Sequence, residues 1–374
     1  MPSDSALVTE AGRQLTICNA CRYCEGYCPV FPAIEIRRDF ARGDVFQLAN
    51  LCHDCRACYY ACMYAPPHPF ALNLPQILTE ARQESYRAWS WPAFLAKVFS
   101  NWKLGIAIAA VASSLVFVLA VILISPSKLV QPYLGPGAFY RVVPFPVMLA
   151  VALVVALYGM SVCIMGGLQF WRETGETIKI RGLAHALLTT ATDVLTFRWL
   201  KGGGPGCYYP QQTPSSARKF YHALVFFGFL SAIVSTTLAA IYQHFLYLLP
   251  PYPVSSAPVL FGTLGGVAMI VGVCGLIAIK IKSDRRPANS EAVGMDYVFL
   301  VMLGLASASG ILTLVFRSTR AMGSLLIIHL ALIAAFFISV PYGKFVHAIY
   351  RSLAILRHNL EQSARRHAGS KGIR

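Results

Sequence analysis

Six apolar stretches, at about 104–124, 142–170, 220–249, 259–281, 295–316 and 324–346, decide what this chain can fold into. Each supplies about twenty residues or more, enough at ~1.5 Å per residue to cross a ~30 Å hydrocarbon core. Helices are therefore expected there, with membrane lipid as their surroundings. Composition agrees: 56% of the residues are hydrophobic and 13% charged, where soluble chains carry about 25% charge. Trp91, Trp102, Tyr133, Tyr140, Trp171, Tyr247 and Tyr252 fall near the ends of the spans, as an interfacial aromatic belt requires.

The basic residues set an orientation. With the N-terminus inside, the inner connections hold Arg172, Lys179, Arg181, Arg198, Lys201, Arg218 and Lys219, then Lys280, Lys282, Arg285 and Arg286, and finally the tail from Lys344 to Arg374. The outer connections hold only Lys128 and Arg141, then Arg317 and Arg320. This asymmetry places both termini in the cytoplasm. The N-terminal residues show no basic stretch followed by an apolar run, so no cleaved secretory signal is expected. The net charge of +16 flanks the spans rather than forming a tract, which points to a membrane surface and away from nucleic acid. In the long inner connection, Leu183 to Leu200 is apolar but interrupted by His185, Asp193 and Arg198, and is read as an interfacial helix.

Eight of the eleven cysteines precede the first span, in two runs of one spacing. Cys18, Cys21, Cys24 and Cys28, then Cys52, Cys55, Cys58 and Cys62, each read C-x2-C-x2-C-x3-C. That run holds the paired [4Fe-4S] clusters of bacterial two-cluster ferredoxins, the fourth cysteine of each run reaching to the other cluster. Cys18, Cys21, Cys24 and Cys62 are accordingly assigned to one cluster, and Cys52, Cys55, Cys58 and Cys28 to the second. Reduced cytoplasmic thiols suit this use. Zinc is the rival, although its sites usually pair one C-x2-C with a distant half. Between the runs, the segment with EIRRDFARGDVFQLAN is expected to be a short helix, and QILTEARQESYR another. Arg37, Arg38, Arg42 and Arg56 stand near the cysteines as candidates for tuning cluster potential, or as a solvated basic face. Cys207, in the loop KGGGPGCYYPQQTPSS, reads as a free thiol, and His53 as a residue just behind the ligands.

Histidines within spans are expensive and point to function. His222 and His244, at the two ends of the third span, are 22 positions apart; His329 and His347, in the sixth, are 18 apart. Both intervals return to one helix face. Because the two spans run in opposite directions, His222 and His347 share the inner level, and His244 and His329 the outer. Facing imidazoles are what a b-type haem requires, so one or two haems are expected, with His185 as a rival inner ligand. His68, His358 and His367 read as surface residues.

The chain reads as mainly α: a small α-helical ferredoxin-like two-cluster module, residues 1–90, followed by a six-helix transmembrane bundle, residues 91–374. The cysteine runs, LNLPQILTEARQESY after them and the spans behind resemble the tricarballylate- and citrate-utilisation protein B family. HLALIAAFFISVPYGKFVHAIYR also resembles the haem-binding span of the respiratory nitrate reductase gamma subunit family, whose two end histidines match His329 and His347. The first resemblance implies an electron shuttle of the bacterial inner membrane. It takes electrons from an FAD-dependent dehydrogenase oxidising tricarballylate or a related tricarboxylate, and passes them to quinone. The chain shows no dinucleotide fingerprint or P-loop; GGGPG at 202–206 lacks a following helix, so flavin belongs on another chain. Nor does it show a substrate-oxidising constellation. Two other readings stay open: a quinol-oxidising subunit of a heterodisulfide-type reductase, and a metal-responsive membrane transporter or sensor.

Overall fold

The computed structural model describes residues 5–175, 182–202, 204 and 206–371. Lys179, Arg181, Gly203, Pro205 and Arg374 lie outside the described residues, as does the side chain of His367. Every regular element among the described residues is helical, apart from an isolated bridge between Cys207 and Ser215. The cysteine-bearing region consists of α1 (Ala6–Cys21), α2 (Val30–Glu35), α3 (Arg42–Leu51), α4 (Ala57–Tyr60) and α5 (Leu74–Trp89). Helix α6 (Ala93–Ser100) leads into α7 (Trp102–Leu123), and two short turns, α8 (Pro126–Leu129) and α9 (Ala138–Val142), follow. Then come α10 (Phe145–Glu173), α11 (Leu183–Leu195), α12 (Ala217–His244), α13 (Ala257–Ile281), α14 (Ser290–Val315), α15 (Met322–Ser339) and α16 (His347–Lys371).

Five helices, α10 and α12 to α15, are long and apolar enough to cross a membrane. Helix α7, over the first expected span, runs for 22 residues. Helices α12 and α13 approach closely because glycines meet: a Cβ on Gly228 or on Gly265 would stand 2.7 Å from the other's carbonyl oxygen. The segment between the cysteine runs is two helices, α2 and α3, rather than one. Helix α5 begins earlier than expected, where Asn73 caps it by accepting the Gln76 N–H at 3.4 Å and Pro75 occupies the first turn.

The sixth span differs most from expectation. It stops at Ser339, where Pro341 removes a backbone donor and Gly343 follows, and the chain restarts as α16 at His347. His329 and His347 therefore lie on different helices. Nor is the segment after Lys344 a loose tail. Tyr350, Ala354 and Ile355 of α16 join one buried core with Leu15, Phe46 and Trp89. The Trp89 ring meets Phe46, Phe170 and Tyr350 edge-on, with centroids 5.7, 5.2 and 5.0 Å apart. Glu361 of α16 accepts from Arg37 at 2.7 Å and from Arg357 at 3.0 Å. His358, read as a surface residue, is 5% exposed. Arg37 is buried too, its guanidinium held by Glu361, Asp44 and Gln47 rather than presented to the cysteines.

The cysteine region rests on the ends of the bundle where Lys and Arg concentrate. Glu173, ending α10, accepts from Trp89 at 2.5 Å and pairs with Arg42 at 3.0 Å. Asp284, after α13, accepts from Tyr60 at 2.9 Å through its carboxylate and from Arg56 at 2.7 Å through its carbonyl.

Candidate redox centre

Helix α1 carries Cys18 and Cys21 in its last turn and ends at Arg22, which takes the left-handed conformation (φ 54°) and donates its N–H to Cys18 O at 3.0 Å. The second run bends at the same register: Arg56, which follows Cys55 as Arg22 follows Cys21, has φ 64°. In both runs this turn brings the third cysteine, Cys24 or Cys58, back towards the first two.

Two groups of thiols result. Cys18 is surrounded by Cys62, Cys24 and Cys21: burial, then the neighbouring sulfurs, push its thiol up to about 12. Cys24 is pushed up to about 11 by burial, then by Cys62 and Cys21. Cys28 is raised well above the ordinary thiol range by burial, then by Cys55 and Cys52, and Cys58 by burial, then by Cys55, Cys52 and Cys28. Each fourth cysteine thus stands with the other run's first three. Cys18, Cys21, Cys24 and Cys62 line one cavity together with Cys58 of the second group, and Phe31 and Leu74 complete its wall. Among the described residues no three metal-binding side chains close on a point that a single ion would occupy. Each group supplies four thiols, the donor set that a cubane iron–sulfur cluster uses.

The loop of the second group is fastened by three guanidiniums. Arg82 of α5 donates to Ala49 O at 2.8 Å and Cys52 O at 2.6 Å; Arg218 of α12 to His53 O and Asp54 O, both at 2.8 Å; Arg351 of α16 to Cys52 O at 3.0 Å. His53 lies among them, its Nδ1 donating to Leu51 O at 2.8 Å. Burial, then the charges of Arg351, Arg218 and Arg82, hold its imidazole well below the usual range and keep it neutral. Cys207 is fully buried beside this loop: Tyr208 N–H donates to Cys55 O at 2.9 Å, and the hydroxyl of Tyr209 to Asp54 at 2.6 Å.

Arg218 and Arg351 each lie one helical turn from a histidine, His222 and His347. Those two imidazoles face each other with centroids 6.3 Å apart and planes at 77°. Two imidazoles ligating one metal at about 2 Å each place their ring centres roughly 6 Å apart. The ring of His347 donates from Nδ1 to Lys344 O at 2.5 Å, which leaves Nε2 free, and the Nδ1 of His222 is buried without a partner. This pair fits an iron between them. The other candidates stand apart. His244 is exposed and packs on Phe145 with centroids 5.8 Å apart; His329 meets Ser309 of α14 at 3.0 Å; His185 is exposed on α11.

A family model described as "Citrate utilization protein B" matches residues 101–368, and one described as "Citrate utilization protein B Fer4-like domain" matches residues 11–88. The chain belongs to the citrate utilization protein B family. A relative from Escherichia coli carrying that name is 36% identical over 365 residues, 97% of this chain and 95% of the relative. No solved structure matches the chain. The three arginines that fasten the second cysteine loop escape a reading of the sequence motif alone. The signal for two of them was present: Arg218 four residues before His222, and Arg351 four residues after His347, share a helix face with their histidine.

Proposed function

We propose that this chain is a membrane-bound electron-transfer protein of citrate or related tricarboxylate utilisation. Residues 1–90 form its two-cluster module on the cytoplasmic side of the bacterial inner membrane, and residues 91–374 its bundle. Cys18, Cys21, Cys24 and Cys62 would hold one [4Fe-4S] cluster, and Cys52, Cys55, Cys58 and Cys28 the other. His222 and His347 would hold a b-type haem; His329 and His244 are the residues left for a second. Clusters and haem bound there supply one-electron carriers between a two-electron flavin and a two-electron quinone. The electron donor is the reduced flavin of an FAD-dependent dehydrogenase on a separate chain, which oxidises the tricarboxylate.

One observation carries this reading: Arg218 and Arg351 bond the backbone of the second cysteine loop from helices whose histidines, one turn away, face each other at 6.3 Å. The chain's own residues thereby fix the cysteine loop against the histidine pair. Anaerobic purification tests it. Broad iron–sulfur absorbance together with a b-type pyridine haemochrome is expected; a preparation with neither would end the electron-transfer reading.

A further inference from the structure

A second cavity lies in the bundle, away from the cysteines and at the level of the 340–346 bend. Phe99 ends α6 on one side of it and Trp102 opens α7; Met302 of α14 and Phe336 of α15 form the far wall, and Lys344 and Phe345 the base. Its enclosed volume is about 30 Å³, and it continues into an open mouth. Its lining is aromatic and thioether-rich, with one cation.

That cation belongs to a trio. Lys344 Nζ stands 2.7 Å from Asp296 Oδ1, and Lys280 pairs with the other oxygen of the same carboxylate. Two ammonium groups share one carboxylate, so the trio keeps a positive charge although its side chains are only 15–20% exposed. Burying such a charge beside lipid is costly and points to a task. The surroundings indicate which. Flat aromatic walls accept a flat ring, and an ammonium group offers a hydrogen bond to an oxygen acceptor on it. Lys344 is also the residue whose carbonyl receives the His347 Nδ1–H, so the cavity wall is hydrogen-bonded to the histidine pair. In the same stretch of chain as Phe99, α6 exposes Phe94, and Trp91 just before it is exposed as well, which suits a ligand arriving from lipid.

We propose that this cavity is the quinone site, with the quinone ring between Phe99, Trp102 and Phe336 and one carbonyl oxygen on Lys344. The proposal rests on the electron-transfer reading above. Reduction there converts both C=O groups of the quinone to C–OH with two electrons and two protons. The electrons come from the partner's reduced flavin, which is oxidised, and arrive singly through carriers held by this chain. The Lys344 ammonium keeps its proton and hydrogen-bonds the nearer oxygen, which takes its proton from water at the mouth. Water at the mouth supplies the proton to the farther oxygen.

The test uses the full-length chain, anaerobically purified in detergent and reduced stoichiometrically, mixed with a short-chain benzoquinone while iron–sulfur absorbance is followed. Lys344→Gln leaves Asp296 paired with Lys280, and Met302→Trp fills the cavity. Each should slow reoxidation by about tenfold or more, the worth of a charge-assisted hydrogen bond or of the site itself, with cluster content unchanged. Wild-type rates in both variants would overturn the site while leaving electron transfer to quinone intact. A wild-type protein that quinone fails to reoxidise would overturn the electron-transfer reading itself. Photolabelling of the unmutated protein with an azidoquinone decides the location without any variant: label on Phe99–Gly105 or α14 supports the cavity, and label confined elsewhere refutes it.

Discussion

The loops Cys18–Cys24 and Cys52–Cys58 share a spacing and a left-handed turn after the second cysteine, yet they sit in opposite surroundings. The first lines a cavity flanked by Tyr23 and Met63, which are 58% and 59% exposed. The second has its carbonyls occupied by Arg82, Arg218 and Arg351, and Cys207 and Tyr209 cover it. Sequence spacing therefore fixes how each loop wraps, while tertiary contacts fix what it faces. The first loop borders exposed side chains, and the second is bonded to α12 and α16. Guanidiniums beside a cluster favour its reduced, more negative form, so a cluster held by the second loop would have the higher reduction potential.

The comparison breaks most severely at the crossed cysteines. Cys62→Ser is expected to remove the cluster of the exposed loop, and Cys28→Ser that of the covered loop, each leaving the other detectable by EPR and iron analysis. If each serine instead removed the cluster of its own run, the two loops would be independent sites and the crossed assignment would fail. Next in size is the histidine pair. His222→Ala or His347→Ala should abolish the haem held between them while both clusters persist; an unchanged pyridine haemochrome in both variants would rule out that pair as ligands. Arg218→Gln probes the asymmetry itself. Losing one charge beside the covered loop should lower that cluster's midpoint potential by about 60 mV, a tenfold change for a one-electron couple, without moving the other. An EPR redox titration in which both shift equally would mean that the two loops share one electrostatic environment.

The cysteine grouping was legible because ligand spacing is local: three thiols on one turn of backbone and a fourth carried onward need no tertiary information. The spans were legible for the same reason, since a bilayer asks only for length and apolarity. What escaped the sequence was decided by packing. Lys344 to Arg374 carries mixed charge and reads as a tail, but Arg357 and Glu361 are buried because Arg37 supplies the third member of their network, 324 positions away in the chain. The break at Pro341 was visible, yet an apolar run on both sides of it masked the end of α15. The meeting of His222 with His347 followed from topology, whereas His329 turned to Ser309 on a neighbouring helix that no periodicity could select.

The smallest effect concerns how the covered loop is tied to the α13–α14 connection. Asp284 accepts from Tyr60 at 2.9 Å and from Arg286 at 2.7 Å. The Arg286 hydrogen bond, with help from Tyr60, holds its carboxyl down at about 2. A carboxylate depressed in the folded state contributes stability that is complete above its unfolded pKa of about 4 and is lost as pH falls through the folded value. The contribution should therefore be constant from neutral pH down to about 4 and vanish between there and about 2. Because the partner Arg286 has a side chain 62% exposed, screening keeps the contribution small: Asp284→Asn should lower Tm at neutral pH by no more than about 2 °C. The wild type and the variant should converge at the acid end of that window. Glu10 is held within α1 by Arg13 and Gln14, so the same scan on a variant of Glu10 should leave the covered loop's cluster signal untouched. A Tm difference for Asp284→Asn that grew below pH 4 would show that this carboxylate is held by something other than its cationic and phenolic neighbours.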